Sequence, residues 1–549
     1  MKRYAFVVML SVSSVAHAIP EGPAYPSAEW AQREANNFAK VVEAPTEEAS
    51  NPVFTQRLLL QGQSNLADYI MRDAADPSWL LASSPLLTSL LASASAPADA
   101  AAQLQNTLAK IQQNPTSAVA LPLNLPVTPL CATWSMQCTG DPFRYPGVDP
   151  FYANEAVVTP VVFYDDGCAR ISGRVWAPKS SHAGSSLPAV VIENGSVEAP
   201  EPLYWWMAQL LVRSGYVVMT FDPRGQGRSD MQTPSGGQGG NLNSAVFWTG
   251  LVNAIDFFRS SPVAPYPHNL SCASTYPTAA TPFNPFHDRI DRDRFGIAGH
   301  SLGATGVSIV QGYGAAGADP WPGKLDATNP VKVAVAWDGL SSANTRPRVP
   351  SMGQSSEYGL TPQPKLQPPD PEGQKTAYAA WKKAGIPVYQ FTIQGSTHYE
   401  WSLIPTFPAS SWCPQMVKGQ CSGGWGNPMA QHYSLAWIDR WLKLPGETGY
   451  DDADARLLDD SHWLDRYSFY SRSARRFPLR NGKSAACEDI RAGCSDLVNL
   501  NSRGAAASTS TGGGSMPWRA LLTLTGLAAL RRRNRSSGLL TNLNACISR

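Results

Sequence analysis

A serine held between two glycines, in Gly299-His300-Ser301-Leu302-Gly303, is the position in this chain best suited to nucleophilic attack. With the apolar run at 295–298 in front of it, the string reads as a buried strand that breaks into a sharp turn. The glycines let strand and following helix pass close together, and the serine is forced into a strained backbone with its hydroxyl exposed. A hydroxyl attacks well only when a base takes its proton, and that base needs a carboxylate to hold its tautomer. Of the eight histidines, His398 fits the base best, because it follows the β-rich run 386–393 and the turn Gln394-Gly395-Ser396-Thr397. His300 reads as a residue packed against the sheet, and His432 as a structural residue of a helix expected at 429–444. Two carboxylates end candidate strands after Ser301: Asp338, after 331–337, and Glu357, after 349–356.

The elements that must position these groups come in a regular order. Residues 187–193 form an apolar strand ending in the turn Asn194-Gly195-Ser196; a helical stretch spans 204–213 and a second strand 216–221. Residues 222–229 are a turn by their Pro and Gly content. Phe247, Trp248, Leu251, Val252, Ile255 and Phe258 then recur at helical spacing before the strand that leads to Ser301. Strand, helix, strand, helix, strand predicts an α/β fold with a mostly parallel sheet. Upstream, residues 157–171, interrupted by Asp165-Asp166-Gly167, predict a β-hairpin. A charge developing on a carbonyl oxygen calls for backbone N–H groups already in place; Leu302 supplies one, and the 194–196 turn the other. Tyr204 and Trp205 read equally as walls of an apolar substrate pocket or as a helix face packed in the core.

These strings resemble the serine α/β-hydrolase superfamily over roughly residues 150–445, and the downstream strings resemble its platelet-activating-factor acetylhydrolase and bacterial polyester-hydrolase branch. The resemblance implies an α/β-hydrolase fold. In that branch the acid follows the earlier strand, beside a tryptophan, as Asp338 does after Trp337, and a string like Ser356-Glu357-Tyr358 occurs later without carrying it. Glu357 stays open as the alternative acid, since many α/β hydrolases place theirs after the later strand. By the same resemblance Ser196 is the second oxyanion donor, with Asn194 where a His-Gly pair is common.

Composition sets the frame. The chain has 549 residues, 43% of them hydrophobic, enough to bury a large core, and a formal net charge of +2. No basic field suggests nucleic acid. No phosphate-binding glycine loop or paired-cysteine zinc spacing occurs, so neither cofactor nor metal is expected. Lys2 and Arg3, an apolar stretch and Ala16-His17-Ala18 read as a signal peptide, residues 1–18, for signal peptidase. In an oxidising compartment the nine cysteines suggest the local pairs Cys131 with Cys138, Cys413 with Cys421 and Cys487 with Cys494. Cys168 is left for Cys272, and Cys546 falls in the tail. The expected divisions are a mostly helical extension at 19–140, with helical patches at 55–72 and 98–113, a catalytic domain at 141–445, and a C-terminal extension at 446–500. A flexible linker at 501–511 follows, then a tail at 512–549. In that tail glycines, a short apolar segment and arginines resemble a GlyGly-CTERM sorting signal, which implies transient membrane association and removal by an intramembrane protease. The whole predicts an exported serine hydrolase acting on lipid, short acyl or polyester carboxylic esters through an acyl-enzyme. A secreted peptidase of the same fold and a non-catalytic surface-interaction protein are the alternatives.

Overall fold

The structure, a computed structural model, describes residues 22–42, 151–196, 201–226, 229–230, 232–240, 243–275, 280–359, 363–402, 425–494 and 498–499. The signal peptide, the helical patches at 55–72 and 98–113, the pairs Cys131–Cys138 and Cys413–Cys421, and the linker and tail from 501 onward lie outside the described residues.

The expected hairpin opens the sheet. Strands β1 (Ala156–Tyr164) and β2 (Arg170–Pro178) pair antiparallel along their whole length. Asp165 closes their turn by accepting the Gly167 and Ala169 amides at 2.9 and 2.8 Å. From there the chain alternates: β3 (Leu187–Glu193), α2 (Trp205–Arg213), β4 (Val217–Asp222), α3 (Val246–Arg259), β5 (Ile290–His300), α4 (Leu302–Val310) and β6 (Val331–Trp337). After these come β7 (Ser351–Ser355), α5 (Thr376–Ala384), β8 (Val388–Thr392) and α6 (Gly426–Leu442). One further helix, α1 (Ala28–Val42), precedes them all.

The sheet order is β1-β2-β4-β3-β5-β6-β7-β8-β9-β10-β11. Strands β4, β3 and β5 to β8 run parallel, and β2 runs antiparallel to β4. This order, with the serine turn at the end of the central strand β5, is an α/β-hydrolase fold. Strands β9 (Ala474–Pro478), β10 (Lys483–Cys487) and β11 (Val498–Asn499) add to the same sheet through antiparallel pairing of β9 with β8, so the segment expected as an extension continues the core architecture.

Period-two alternation sorts the strand side chains to two faces. On β3, Val190 and Ile192 join the core under α2 and α6, with Leu211, Val212, Met429 and Trp437. Ala189 and Val191 join the opposite core under α3 and α4, with Leu251, Ile255, Phe258 and Val307. The helical spacing read at 247–258 is therefore the buried face of α3.

Two disulfides are present among the described residues, Cys168–Cys272 and Cys487–Cys494. The first closes a separation of 104 residues and ties the hairpin turn to the segment before β5. Removing so long a closure frees the unfolded chain by roughly 4–5 kcal/mol in the entropy model, less whatever strain it relieves. The Cys168→Ala/Cys272→Ala double variant is expected to unfold at clearly lower urea than the parent, with a smaller change for Cys487→Ala/Cys494→Ala. Equal midpoints for both variants would contradict this.

Candidate active site

At the end of β5 the backbone turns so tightly that only glycine fits on either side of Ser301. A Cβ at Gly299 would lie 2.7 Å from the Gly303 carbonyl oxygen, and one at Gly303 would lie 2.3 Å from the Asn194 carbonyl oxygen. Ser301 itself has φ 59° and ψ −119°, a region an L-residue enters only under constraint. Its amide is bonded to the Trp337 carbonyl at 3.0 Å, which ties the turn to β6. Ser301 then caps α4, whose first residue is Leu302. The helix N-terminus points its unpaired N–H groups and positive dipole end at the space beside the hydroxyl.

The structure brings Ser301, His398 and Asp338 together. His398 begins a short turn after β8, and its Nε2 lies 2.8 Å from Ser301 Oγ. Its Nδ1 is bonded to Asp338 Oδ2. A carboxylate oxygen only accepts, so Nδ1 carries the hydrogen and the Nε2 lone pair faces the serine hydroxyl. Asp338 also has positive φ, 54°, directly after β6. Its Oδ1 accepts the Ser356 amide at 2.7 Å and its Oδ2 the Ser356 hydroxyl at 2.9 Å. Burial opposes its ionisation, but the bond and charge of His398, with the Ser356 amide and His300, hold its pKa below the ordinary value. Side chains of both His398 and Asp338 stay slightly open, at 15% and 13% exposure.

Glu357 sits elsewhere. Its carboxylate accepts Asn37 Nδ2 at 2.6 Å, the Gly395 amide at 2.7 Å and the Ser468 hydroxyl. It is thus a junction between α1 and the turn that precedes His398, with its pKa raised by burial against those donors. Glu34 of α1 extends the junction by accepting from Tyr358 at 3.1 Å and from Tyr470. A cavity of about 640 Å³ lies beside α1 and is lined by Arg33, Asn37, Gln394 and Phe469, not by Ser301.

The Asn194-Gly195-Ser196 turn lies against the nucleophile: a Cβ at Gly195 would come within 3.4 Å of Ser301 Cβ. Asn194 is held by its Nδ2 bond to Asp222 at 2.9 Å. The Gly195 amide is committed to the Tyr204 hydroxyl at 3.0 Å, and Ser196 follows it in the turn. Tyr204 and Trp205 are buried in the core rather than exposed as pocket walls. Trp205 packs edge-on to Trp176 at 5.3 Å and under the Arg174 guanidinium at 4.7 Å, while the Tyr204 hydroxyl bonds His300. Of the two readings, the packed helix face is the one the burial fits. His300 is indeed packed, with its ring pushed by burial down to about pKa 3. His432 bonds the Arg456 carbonyl, away from the site.

Ser356, as the residue that pins Asp338, escaped sequence reasoning because its role depends on β6 and β7 lying side by side. Glu193 escaped it too. This carboxyl ends β3 next to the turn, is fully buried, and neither oxygen has a hydrogen-bond partner among the described residues. Burial, reinforced by the Asp222 charge, raises its pKa well above the ordinary 4.5.

No protein-family model matches this sequence, and no curated protein matches it significantly. Among solved structures, a ferulic acid esterase from Streptomyces cinnamoneus is similar at 15% identity and a TM-score of 0.32, over 54% of this chain and 92% of that one. That likeness is too distant to bear on function.

The Glu193 environment makes a pH-dependent prediction. A folded-state pKa above the unfolded one means the native state binds the extra proton, so stability is fully present below about pH 4.5 and falls as pH rises above it toward the folded value. Glu193→Gln carries no such proton. It is expected to be more stable than the parent at about pH 8, with the gap shrinking toward about pH 4. Urea denaturation at both pH values checks this, and a gap that grows on acidification would refute it.

Proposed function

We propose that this chain is a serine hydrolase that cleaves carboxylic esters through an acyl-enzyme. One observation carries the reading: an unbroken hydrogen-bonded line from the Ser301 hydroxyl through the His398 ring to the Asp338 carboxylate, at the mouth of a strained turn. In this reading Ser301 Oγ attacks the ester carbonyl carbon as His398 Nε2 takes its proton. The Leu302 and Ser196 amides receive the oxyanion. His398 then returns the proton to the departing alkoxide, the acyl group stays on Ser301, and water delivered by the same histidine releases the acid. Asp338 holds the imidazole tautomer throughout.

Glu357 is assigned a structural role in this reading, because its carboxylate is spent on Asn37, Gly395 and Ser468. Substrates are lipid, short acyl or polyester esters, with no cofactor. The protein is exported through its leader, with signal peptidase removing residues 1–18, and its tail gives a transient membrane hold until an intramembrane protease removes it. The two disulfides are compatible with that route. Among the described residues no helix is long and apolar enough to cross a membrane.

A panel of p-nitrophenyl esters and aminoacyl anilides tests the class directly: turnover of esters supports the reading, anilide turnover alone would make the protein a peptidase, and neither would leave it a binding scaffold. Ser301→Ala is expected to lose both ester turnover and fluorophosphonate labelling while its melting temperature holds. Retained turnover would remove Ser301 from the mechanism.

The two acids separate by their amides. Asp338→Asn is expected to cut kcat on the order of 10⁴-fold, as in the serine-protease precedent, because the histidine is left in the wrong tautomer. Glu357→Gln is expected to lower stability while keeping kcat of the folded fraction within about tenfold. The reverse ranking would move the orienting role to Glu357.

A further inference from the structure

The ester-hydrolase reading requires that two loops from distant strands hold still relative to each other. The oxyanion turn follows β3 and the base follows β8, with β5, β6 and β7 between them in the sheet. A continuous hydrogen-bonded chain spans that gap above the strand ends. The Gly195 N–H donates to Tyr204 Oη at 3.0 Å, Tyr204 Oη lies 2.8 Å from His300 Nδ1, and His300 Nε2 lies 2.7 Å from the His398 carbonyl oxygen.

The direction of every bond is forced. A carbonyl only accepts, so His300 Nε2 carries hydrogen. A neutral ring then presents a bare Nδ1, which takes the Tyr204 hydroxyl hydrogen, and the Tyr204 oxygen is free to accept from Gly195. Burial keeps the ring neutral, with its pKa near 3. The other backbone group of His398 is also tied, its N–H donating to the Gly359 carbonyl at 3.1 Å. Residue 195 must be glycine for this arrangement, since a Cβ there would lie 2.9 Å from Tyr204 Oη and 3.1 Å from His300 Nδ1.

We propose that Tyr204 and His300 are positioning residues that lock the oxyanion turn to the base-bearing loop through Gly195 and the His398 carbonyl. The link has two consequences for the proposed reaction. It withdraws the Gly195 amide inward, so that the oxyanion is presented to Ser196 and Leu302. It also fixes the backbone from which the His398 ring swings between Ser301 and the leaving group. Neither residue touches substrate. Their effect belongs in kcat, because a misplacement of about 1 Å at reacting groups costs up to about 100-fold in rate without weakening ground-state binding.

The test uses the full chain and Tyr204→Phe, which keeps ring volume and removes one hydroxyl, beside His300→Phe and His300→Gln. On p-nitrophenyl butyrate, Tyr204→Phe is expected to lose about 10- to 100-fold in kcat with KM within about twofold and a melting temperature close to the parent. His300→Gln can still donate to the His398 carbonyl and is expected to retain more kcat than His300→Phe at matched folded fraction. Imidazole nitrogen NMR should show His300 as the neutral Nε2–H tautomer without titration across the neutral range, and in Tyr204→Phe as the same tautomer with a shifted Nδ1 resonance, because the hydroxyl hydrogen bond to that nitrogen is gone. Parental kcat in Tyr204→Phe, a kcat loss wholly accounted for by unfolding, or an Nδ1–H tautomer in the parent would each overturn the proposal. A parent that neither hydrolyses esters nor labels with fluorophosphonate would instead sink the ester-hydrolase reading, and the tautomer measurement would still decide whether the link exists.

Discussion

The closest constraint in the site is backbone against backbone, where α4 begins and β3 ends. The Gly303 Cα has no room for a side chain because the Asn194 carbonyl oxygen stands where a Cβ would be. That approach couples two things that a hydrolytic site needs together. It seats the first turn of α4 beside the 194–196 turn, and it bends the chain at Ser301 into positive φ. A strained serine of this kind costs on the order of 1–3 kcal/mol. It persists because β5 is buried between β3 and β6 and cannot relax sideways, and because the Ser301 amide is bonded across to Trp337.

Strand order does the rest. Parallel strands all deliver their C-terminal ends to one rim, and ligands of open α/β sheets sit beyond that rim. Here β3 brings the 194–196 turn, β5 the serine, and β6 the aspartate, in adjacent positions. His398 comes from the end of β8, two strands farther than Asp338 after β6. Reaching back over β7 requires a loop at 393–398 that is stiff without being regular. Its stiffness comes from side-chain and backbone bonds together: the Glu357 carboxylate accepts the Gly395 amide, the Ser396 carbonyl accepts the Glu357 and Tyr358 amides, and Asn37 of α1 donates to the same carboxylate. The helix α1, remote in sequence, is therefore part of how the histidine is aimed.

Much of this was legible in the residues. The G-x-S-x-G turn reports its own geometry, because a close crossing needs glycine and nothing else does so well. The buried strands β3 to β6 were readable as short apolar runs between turns, and Cys168 with Cys272 followed from the other cysteines having nearer partners. What the chain could not disclose locally were contacts between elements far apart in sequence. Tyr204 and Trp205 were aromatic residues near the start of a helix, which describes a pocket wall and a core helix equally well. Only the packing of α2 against Trp176 and His300 separates them. Glu357 and Asp338 both follow strands, and the choice between them lies in which one the loop from β8 passes. Glu193 looked like the last residue of a strand, and its isolation becomes visible only when α4 closes over it.

Three carboxyls within one strand rim are shifted by their surroundings, one down and two up. Asp338 faces a ring N–H and an amide, so ionisation is stabilised in spite of burial. Glu193 faces no donor among the described residues and a neighbouring negative charge, so burial shifts its pKa upward. Glu357 receives three donors yet is sealed from water, and burial still prevails over them in the direction of its shift. The division matters for a reaction that builds negative charge beside the 194–196 turn. A second ionised carboxylate at the end of β3 would oppose that charge at short range in a medium of low dielectric, where such repulsion is strong. An upward-shifted Glu193 opposes the field of the α4 N-terminus less than an ordinary carboxylate would, while in the proposed reaction Asp338, whose pKa is shifted down, lies on the far side of His398 from the developing charge.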